Sequence, residues 1–256
     1  MSANGALRLR RMTKGKVPAA ARGRCAWRKE VDLSKYDQKY VRVTDTDGNT
    51  FTGLAAHGGR EFLTHEYGGD EDGLFIEDVL LYRSQIASVE EIVPHGTAEL
   101  WTDRLILRRC RPEDAPLLYQ ALGSDPAIQC RGKENPFSTL ESARETVRRS
   151  IGRYDEERFY RWVIDAEDIV IGTISAYDRG DDRVEVGFAV ARAWRDRGYA
   201  EEALRKVLEY LTKNEGIPLV TARRAAEDIE TGQILENAGM KPADTDDFLT
   251  YEYRKR

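Results

Sequence analysis

Beyond residue 100 the apolar positions change period from segment to segment. Arg104-Leu105-Ile106-Leu107-Arg108-Arg109 is a short apolar run between arginines and predicts a strand. After Arg111-Pro112-Glu113-Asp114, Leu117, Leu118 and Leu122 fall at helical spacing; a proline at the first helical position and early acids suit a helix start. Ser138-Thr139-Leu140-Glu141 has the pattern of a capping box and opens a second helix, continuing through Arg149. Runs at 160–165, 169–175 and 184–190 are separated by turn residues at Glu167-Asp168 and near Gly180. They predict three consecutive antiparallel strands. From Gly198 onward Ala203, Leu204, Val207, Leu208 and Leu211 share one face of a long helix. A strand at 219–222, a helix at 228–237 and a strand at 249–253 complete the series.

Between residues 30 and 93 the apolar runs are shorter. Tyr40-Val41-Arg42-Val43-Thr44 and Thr50-Phe51-Thr52-Gly53-Leu54 alternate on either side of Asp47-Gly48, a hairpin signal. Glu61-Phe62-Leu63-Thr64-His65 is expected as a third strand, ahead of the acidic glycine loop 68–73. Apolar runs at 74–82 and 86–92 follow. Five short strands with no room for a crossover helix predict a small antiparallel barrel. Pro94 to Glu99 is expected as a short linker, and residues 1–29, rich in glycine and alanine without periodicity, as a flexible tail.

Charge sharpens this division. The net charge of −5 over 256 residues hides a tail with nine Lys or Arg and no acid, followed from Glu30 to Thr97 by fourteen acids against five bases. A basic tail including Arg8, Arg10 and Arg11 is suited to a polyanion, so RNA or ribonucleoprotein contact is one expectation and a solvated tail the other. No apolar run approaches the roughly 18 residues needed to cross a bilayer, so no membrane partner is expected, and a cytoplasmic location is. Cys25, Cys110 and Cys130 are too few and too scattered for a disulfide framework or a metal site. His57, His65 and His95 are expected outside the C-terminal domain as surface residues.

Chemistry concentrates in Arg195-Asp196-Arg197-Gly198-Tyr199-Ala200, between a strand and a long helix. Backbone N–H groups running into a helix N-terminus form a preformed anion site, and a glycine lets the phosphates approach. This segment, with Glu185-Val186-Gly187-Phe188 before it, Glu202-Ala203-Leu204 after it, and Leu235-Glu236-Asn237-Ala238-Gly239-Met240 near the end, resembles the GNAT acetyltransferases, in particular the ribosomal-protein (RimJ/RimL) type. The resemblance covers about 100 to 254. Asp196 stands where that subgroup usually has glycine, and Asp228-Ile229-Glu230-Thr231 replaces its N-x-x-S. In the N-terminal segment, Val41-Arg42-Val43, Asp47-Gly48, Phe51-Thr52-Gly53-Leu54 and 84–89 resemble the Sm-like family.

These resemblances imply an α+β chain. They place a small Sm-like antiparallel β-barrel at 30–93, and at 100–256 a GNAT acyl-CoA N-acyltransferase fold with a mixed, mostly antiparallel sheet flanked by helices. Acetyl-CoA would be the cosubstrate, held by Val190, Arg195, Arg197, Gly198, Tyr199, Ala200, Glu201 and Thr231, with Glu185 as general base and no metal. The backbone N–H near Val190 would stabilise the oxyanion, and Tyr177 or Tyr199 would protonate the leaving thiolate. The implied acceptor is a protein N-terminal amine. A small-molecule amine, or a non-catalytic CoA-binding assembly protein that oligomerises through its barrel, are the alternatives.

Overall fold

The computed structural model describes residues 32–76, 79–125, 128, 135–226, 228–243 and 249–254. The basic tail, Cys25 and Cys130 lie outside them. The chain divides into two compact units between Pro94 and His95.

In the first unit, β1 (Tyr40–Asp45), β2 (Thr50–Gly58), β3 (Gly73–Ile76), β4 (Val79–Tyr82) and β5 (Ile86–Glu91) form one antiparallel sheet. Its order is β4-β3-β2-β1-β5. The Asp45 carboxylate accepts from the N–H groups of Asp47 and Asn49 at 2.9 and 2.8 Å, closing the predicted hairpin. Leu33, Val41, Val43, Ala55, Leu74, Ile76, Leu81 and Ile86 make the core. Two expectations change. No ladder joins β4 to β5 among the described residues, so the strands form a sheet with those two as its edges and the expected small barrel is not shown. The expected third strand is a helix, α1 (Arg60–Tyr67). Gly68 ends it in the left-handed conformation (φ 70°), donating to the Leu63 and Thr64 carbonyls, the usual glycine stop. The fifth strand comes from the 74–82 run, which folds back on itself as β3 and β4.

The second unit has an eight-stranded sheet in the order β12-β13-β11-β10-β9-β8-β7-β6. It comprises β6 (Leu100–Trp101), β7 (Leu105–Arg108), β8 (Tyr160–Ala166), β9 (Ile169–Asp178), β10 (Arg183–Val190), β11 (Leu219–Arg224), β12 (Lys241–Ala243) and β13 (Leu249–Arg254). Helices α2 (Asp114–Leu122), α3 (Leu140–Ile151), α4 (Tyr199–Lys213) and α5 (Ile229–Asn237) flank it. Leu118, Leu122, Ala143 and Val147 of α2 and α3 cluster with Val163 and Val170 on one face. Trp162, pointing the other way from β8, meets Tyr210 of α4 edge-on at 6.1 Å between ring centres. All neighbouring strands are antiparallel except β10 and β11, joined in parallel through α4.

Local details differ from the sequence expectation where side chains compete for caps. Helix α2 starts at Asp114, not Pro112, and Leu117 faces outward; Asp114 is buried, accepting from the Arg111 N–H and from the Arg108 guanidinium. At α3 the cap is Thr139 paired with Ser142, one residue later than the expected Ser138-to-Glu141 box. The expected linker is part of the second unit. Thr97 is fully buried and accepts the Arg161 N–H, the Ala98 carbonyl accepts from the Trp162 indole, and the Gly96 N–H donates to Glu215.

Candidate active site

The sheet opens at one place. Strands β10 and β11 pair only over Arg183–Glu185 and Leu219–Thr221. Beyond that, β10 runs on to Val190 against β9 alone, and β11 runs on to Arg224 against β13 alone. Two parallel strands that part in mid-sheet leave a wedge lined by unpaired backbone groups. The Ala191 N–H turns back to the Ile171 carbonyl on β9. By strand alternation the Val190 N–H points to the other side, into the wedge.

The chain leaves β10 through a short 3-10 turn, Arg192–Trp194, and enters α4 through residues 195–198. Asp196 (φ 58°) and Gly198 (φ 76°) are both left-handed, while Arg197 between them is not. Alternating handedness turns successive N–H groups toward one side, a concave anion-binding arrangement. The first intrahelical bond closes from Glu202 N–H to the Gly198 carbonyl, leaving the N–H groups of Tyr199, Ala200 and Glu201 at the open end. The left-handed φ at Asp196 is a conformation that glycine adopts freely. Aspartate is one of the few side-chain-bearing residues that tolerate it.

Several side chains singled out from the sequence are engaged in holding this loop. Arg195 pairs with the mostly buried Asp125 and donates through Nε to the Val190 carbonyl at 3.1 Å. Its guanidinium fixes where β10 ends. Arg197 lies 5.2 Å over the Trp194 ring. Tyr199 is buried, with Trp194 at 5.7 Å between rings and the Arg104 guanidinium 4.4 Å above it. Glu201 pairs with Arg205 and accepts from Asn237. Thr231 donates its N–H to Asp228, which caps α5 as an ordinary N-cap residue.

Arg104 was not foreseen. Its Nε donates to Glu202 at 2.7 Å and its Nη1 to the Arg197 carbonyl at 3.0 Å, tying the loop to the start of β7. Glu202 also accepts from Thr102 Oγ1 at 2.5 Å and from the Arg104 N–H. The Glu202-Ala203-Leu204 match was the only hint, because the partners lie almost a hundred residues apart.

At the opposite mouth of the wedge, Glu185 is 5% exposed and its Oε2 accepts from Arg179 at 3.1 Å and Arg223 at 2.7 Å. Tyr177 faces it across β9 and is half-exposed, accepting from Arg161 Nη2 at 3.2 Å. Tyr177 and Tyr199 are thus separated, and only Tyr177 reaches the open surface. His57 and His65 belong to the first unit; His95 opens the second, 3.7 Å from Glu215. Cys110 is buried, and burial pushes its thiol pKa up. No cluster of metal-ligating side chains occurs among the described residues.

Comparison with known proteins decides what this geometry belongs to. The sequence model of the acetyltransferase (GNAT) domain matches residues 104–241, more than half of the chain. The chain belongs to the GNAT acetyltransferases. The chain is 29% identical over 147 residues to the uncharacterized N-acetyltransferase YoaA of Bacillus subtilis, covering 56% of this chain and 82% of that one. Among solved structures, the ribosomal-protein-S5-alanine acetyltransferase of Vibrio fischeri superposes with a TM-score of 0.54 at 11% identity, over 62% of this chain and 97% of that one. The microcin C7 self-immunity acetyltransferase MccE, solved with acetyl-CoA and AMP, superposes with a TM-score of 0.52 at 12% identity, over 60% and 93%. Identities this low establish the shared fold alone. As a GNAT enzyme the protein is an N-acetyltransferase that uses acetyl-CoA. The match to the GNAT model leaves the first unit unassigned, and no described helix is long and apolar enough to cross a membrane.

Proposed function

We propose that the second unit transfers an acetyl group from acetyl-CoA, lying in the wedge between β10 and β11, to a primary amine, with a protein N-terminus as the leading acceptor. The observation that carries this reading is the continuity of the parted strands with the left-handed loop and the free N–H groups of α4. The pyrophosphate is assigned to the backbone of residues 197–201, the thioester carbonyl to the Val190 N–H. The neutral amine nitrogen attacks the thioester carbon, the developing oxyanion accepts from that N–H, the C–S bond breaks, and the proton the nitrogen sheds to water balances the one the thiolate takes up.

Arg195 is assigned to shaping the loop, since both its contacts are internal. Glu185 is assigned to positioning, because its Oε2 is held by the Arg179 and Arg223 guanidiniums, which stabilise its charged form and fix its orientation. The corner it orders gathers the guanidiniums of Arg161, Arg179 and Arg223, the last two paired with Glu185. Positive surroundings favour the neutral form of an amine. An N-terminal amine, with a pKa of about 7.7–8.0, needs little such help, whereas a lysine at about 10.4 needs far more. The same positive charge disfavours a polyamine and so favours an N-terminal amine over that small-molecule alternative.

The test is thiol release from acetyl-CoA against a panel of peptides and small amines. Turnover abolished by Gly198→Trp supports the reading; tight CoA binding with no turnover on any acceptor sinks it in favour of a non-catalytic binding protein. For Glu185→Gln, the positioning role predicts a raised acceptor KM with an unshifted pH profile. A lost acidic limb in kcat would restore Glu185 as the base.

A further inference from the structure

We infer that the acceptor carries an anionic group, a carboxylate or phosphate a few bonds from its amine, and that Arg161 with Tyr177 binds it. This deepens the acetyltransferase reading and rests on it. Across the sheet, Arg161 on β8, Ser175 on β9 and Gly187 on β10 are direct neighbours, all on the face that carries α2 and α3. Two steps of about 4.8 Å place Arg161 roughly 10 Å from Gly187. Gly187 is exposed, and a Cβ built on it would meet nothing within 4 Å. Open space therefore lies above the segment of β10 that has parted from β11, where the acceptor must reach the thioester.

Arg161 borders that space without a counter-ion. Among the described residues its guanidinium meets only neutral oxygens, Tyr177 OH at 3.2 Å and Ser150 Oγ at 3.5 Å. The neighbouring Arg179 and Arg223 share one carboxylate, and Arg158 has Asp182 and Asp178. A half-buried guanidinium with no acid, beside a half-exposed phenol, is a site for an incoming oxyanion, because an arginine fork bonds a carboxylate or phosphate through two N–H groups at once. The amine end then extends past Gly187 along β10 toward Val190, three residues or about 10 Å further on.

The experiment uses matched acceptors that differ only in the anion: an amino acid against its amide, an amino sugar phosphate against the free amino sugar, and peptides with Asp against Asn at the second position. The wild-type enzyme is expected to prefer the anionic member by about tenfold or more in kcat/KM. Arg161→Met should erase that preference through acceptor KM, Arg161→Lys should restore part of it, and Tyr177→Phe should weaken it severalfold. The acetyl-CoA KM should stay unchanged. Which pair shows the effect distinguishes carboxylate from phosphate and peptide from small molecule. Equal or better use of the neutral members, or a preference untouched by Arg161→Met, overturns the inference while leaving acetyl transfer standing. A readout free of turnover covers the case in which no acceptor reacts. With CoA saturating, inorganic phosphate should bind wild type and not Arg161→Met by isothermal titration, and equal binding to both overturns the site. Absence of all turnover would count against the transferase reading alone.

Discussion

Replacing Arg104 by methionine tests whether the anion loop is held from outside the motif. The substitution keeps the aliphatic stem and removes two bonds to Glu202, the bond to the Arg197 carbonyl and the stacking on Tyr199. The Arg104 side chain is 47% exposed, so its ion pair with Glu202 is worth no more than about 0.5–1 kcal/mol after solvent screening. The exposed stacking adds about 0.5 kcal/mol and the carbonyl bond about 0.5–1 kcal/mol. Glu202 keeps Thr102 Oγ1 and the residue-104 N–H, which prevents the larger cost of a stranded carboxylate. The loss should be about 1.5–2.5 kcal/mol, lowering the melting temperature by roughly 3–10 °C. Freeing the Arg197 carbonyl lets the loop leave its alternating conformation, so CoA binding should weaken about five- to tenfold by isothermal titration. The value of kcat at saturating acetyl-CoA should hold. Arg104→Met and Glu202→Gln combined should cost less than the sum of the two, since each removes the same pair. A melting temperature that falls as expected with an unchanged CoA affinity would refute the reasoning, because the clamp would then support the fold without ordering the loop.

A Cβ on Gly172 would sit 2.1 Å from the Ala189 carbonyl oxygen, which is backbone and cannot step aside, so Gly172→Ala should cost about 3 kcal/mol or more in urea unfolding. Asp196→Gly relieves a left-handed aspartate and removes a negative charge from the loop, and Asp196→Asn removes only the charge; both should tighten CoA binding a few-fold, and unchanged affinity in both would show that the charge is not felt there. Arg195→Met should lower the melting temperature and leave the partly buried Asp125 without its guanidinium, with a smaller effect on CoA affinity than Arg104→Met; the opposite order would make Arg195 a direct phosphate ligand. Burial raises the pKa of Cys110, Tyr154 and Tyr160, so the native state keeps protons that the unfolded chain releases. Stability contributed by these groups is complete below their unfolded pKa values and is lost as pH rises past about 9 to 10, which thermal melts from pH 7 to 11 should show as a steepening decline.

The elements of the second unit were legible because each buries one face, and a buried face imposes its own period on the sequence. The strands missed, β6 and β12, are two and three residues long, too short to carry a period. Helix α1 was missed because Glu61 to His65 alternates as a strand would, although Leu63 and Tyr67 at i and i+4 followed by Gly68-Gly69 carry a helix and its stop. In the site the motif located the loop, and the partners its side chains find lie far away in the chain. Arg195 is taken by Asp125, seventy residues away in the chain, Glu185 by Arg223, thirty-eight away, and the loop is braced by Arg104, ninety-three residues from Arg197. Pairings of that range leave no local trace, so a motif read alone does not show which internal partners its charged residues have.

What remains of the motif once those side chains are engaged is mostly backbone. Asp196 and Gly198 supply conformation, Arg197 supplies a carbonyl for Arg104, and the groups left for an anion are the backbone N–H donors and the exposed Arg197 guanidinium stacked on Trp194. Such a site depends on φ and ψ more than on side-chain identity. That is why an aspartate can stand in a glycine position without abolishing the loop, and why substitutions that alter handedness should act more strongly than those that alter charge. The acceptor end follows the opposite rule. There the backbone is ordinary strand, and what distinguishes it is an arginine with no acid partner among the described residues, two strands from an exposed glycine. On the reading proposed above, the cosubstrate would be recognised chiefly by chain geometry and the acceptor by side-chain chemistry, which makes Arg161 and Tyr177 the residues at which acceptor choice should change without disturbing the acetyl donor.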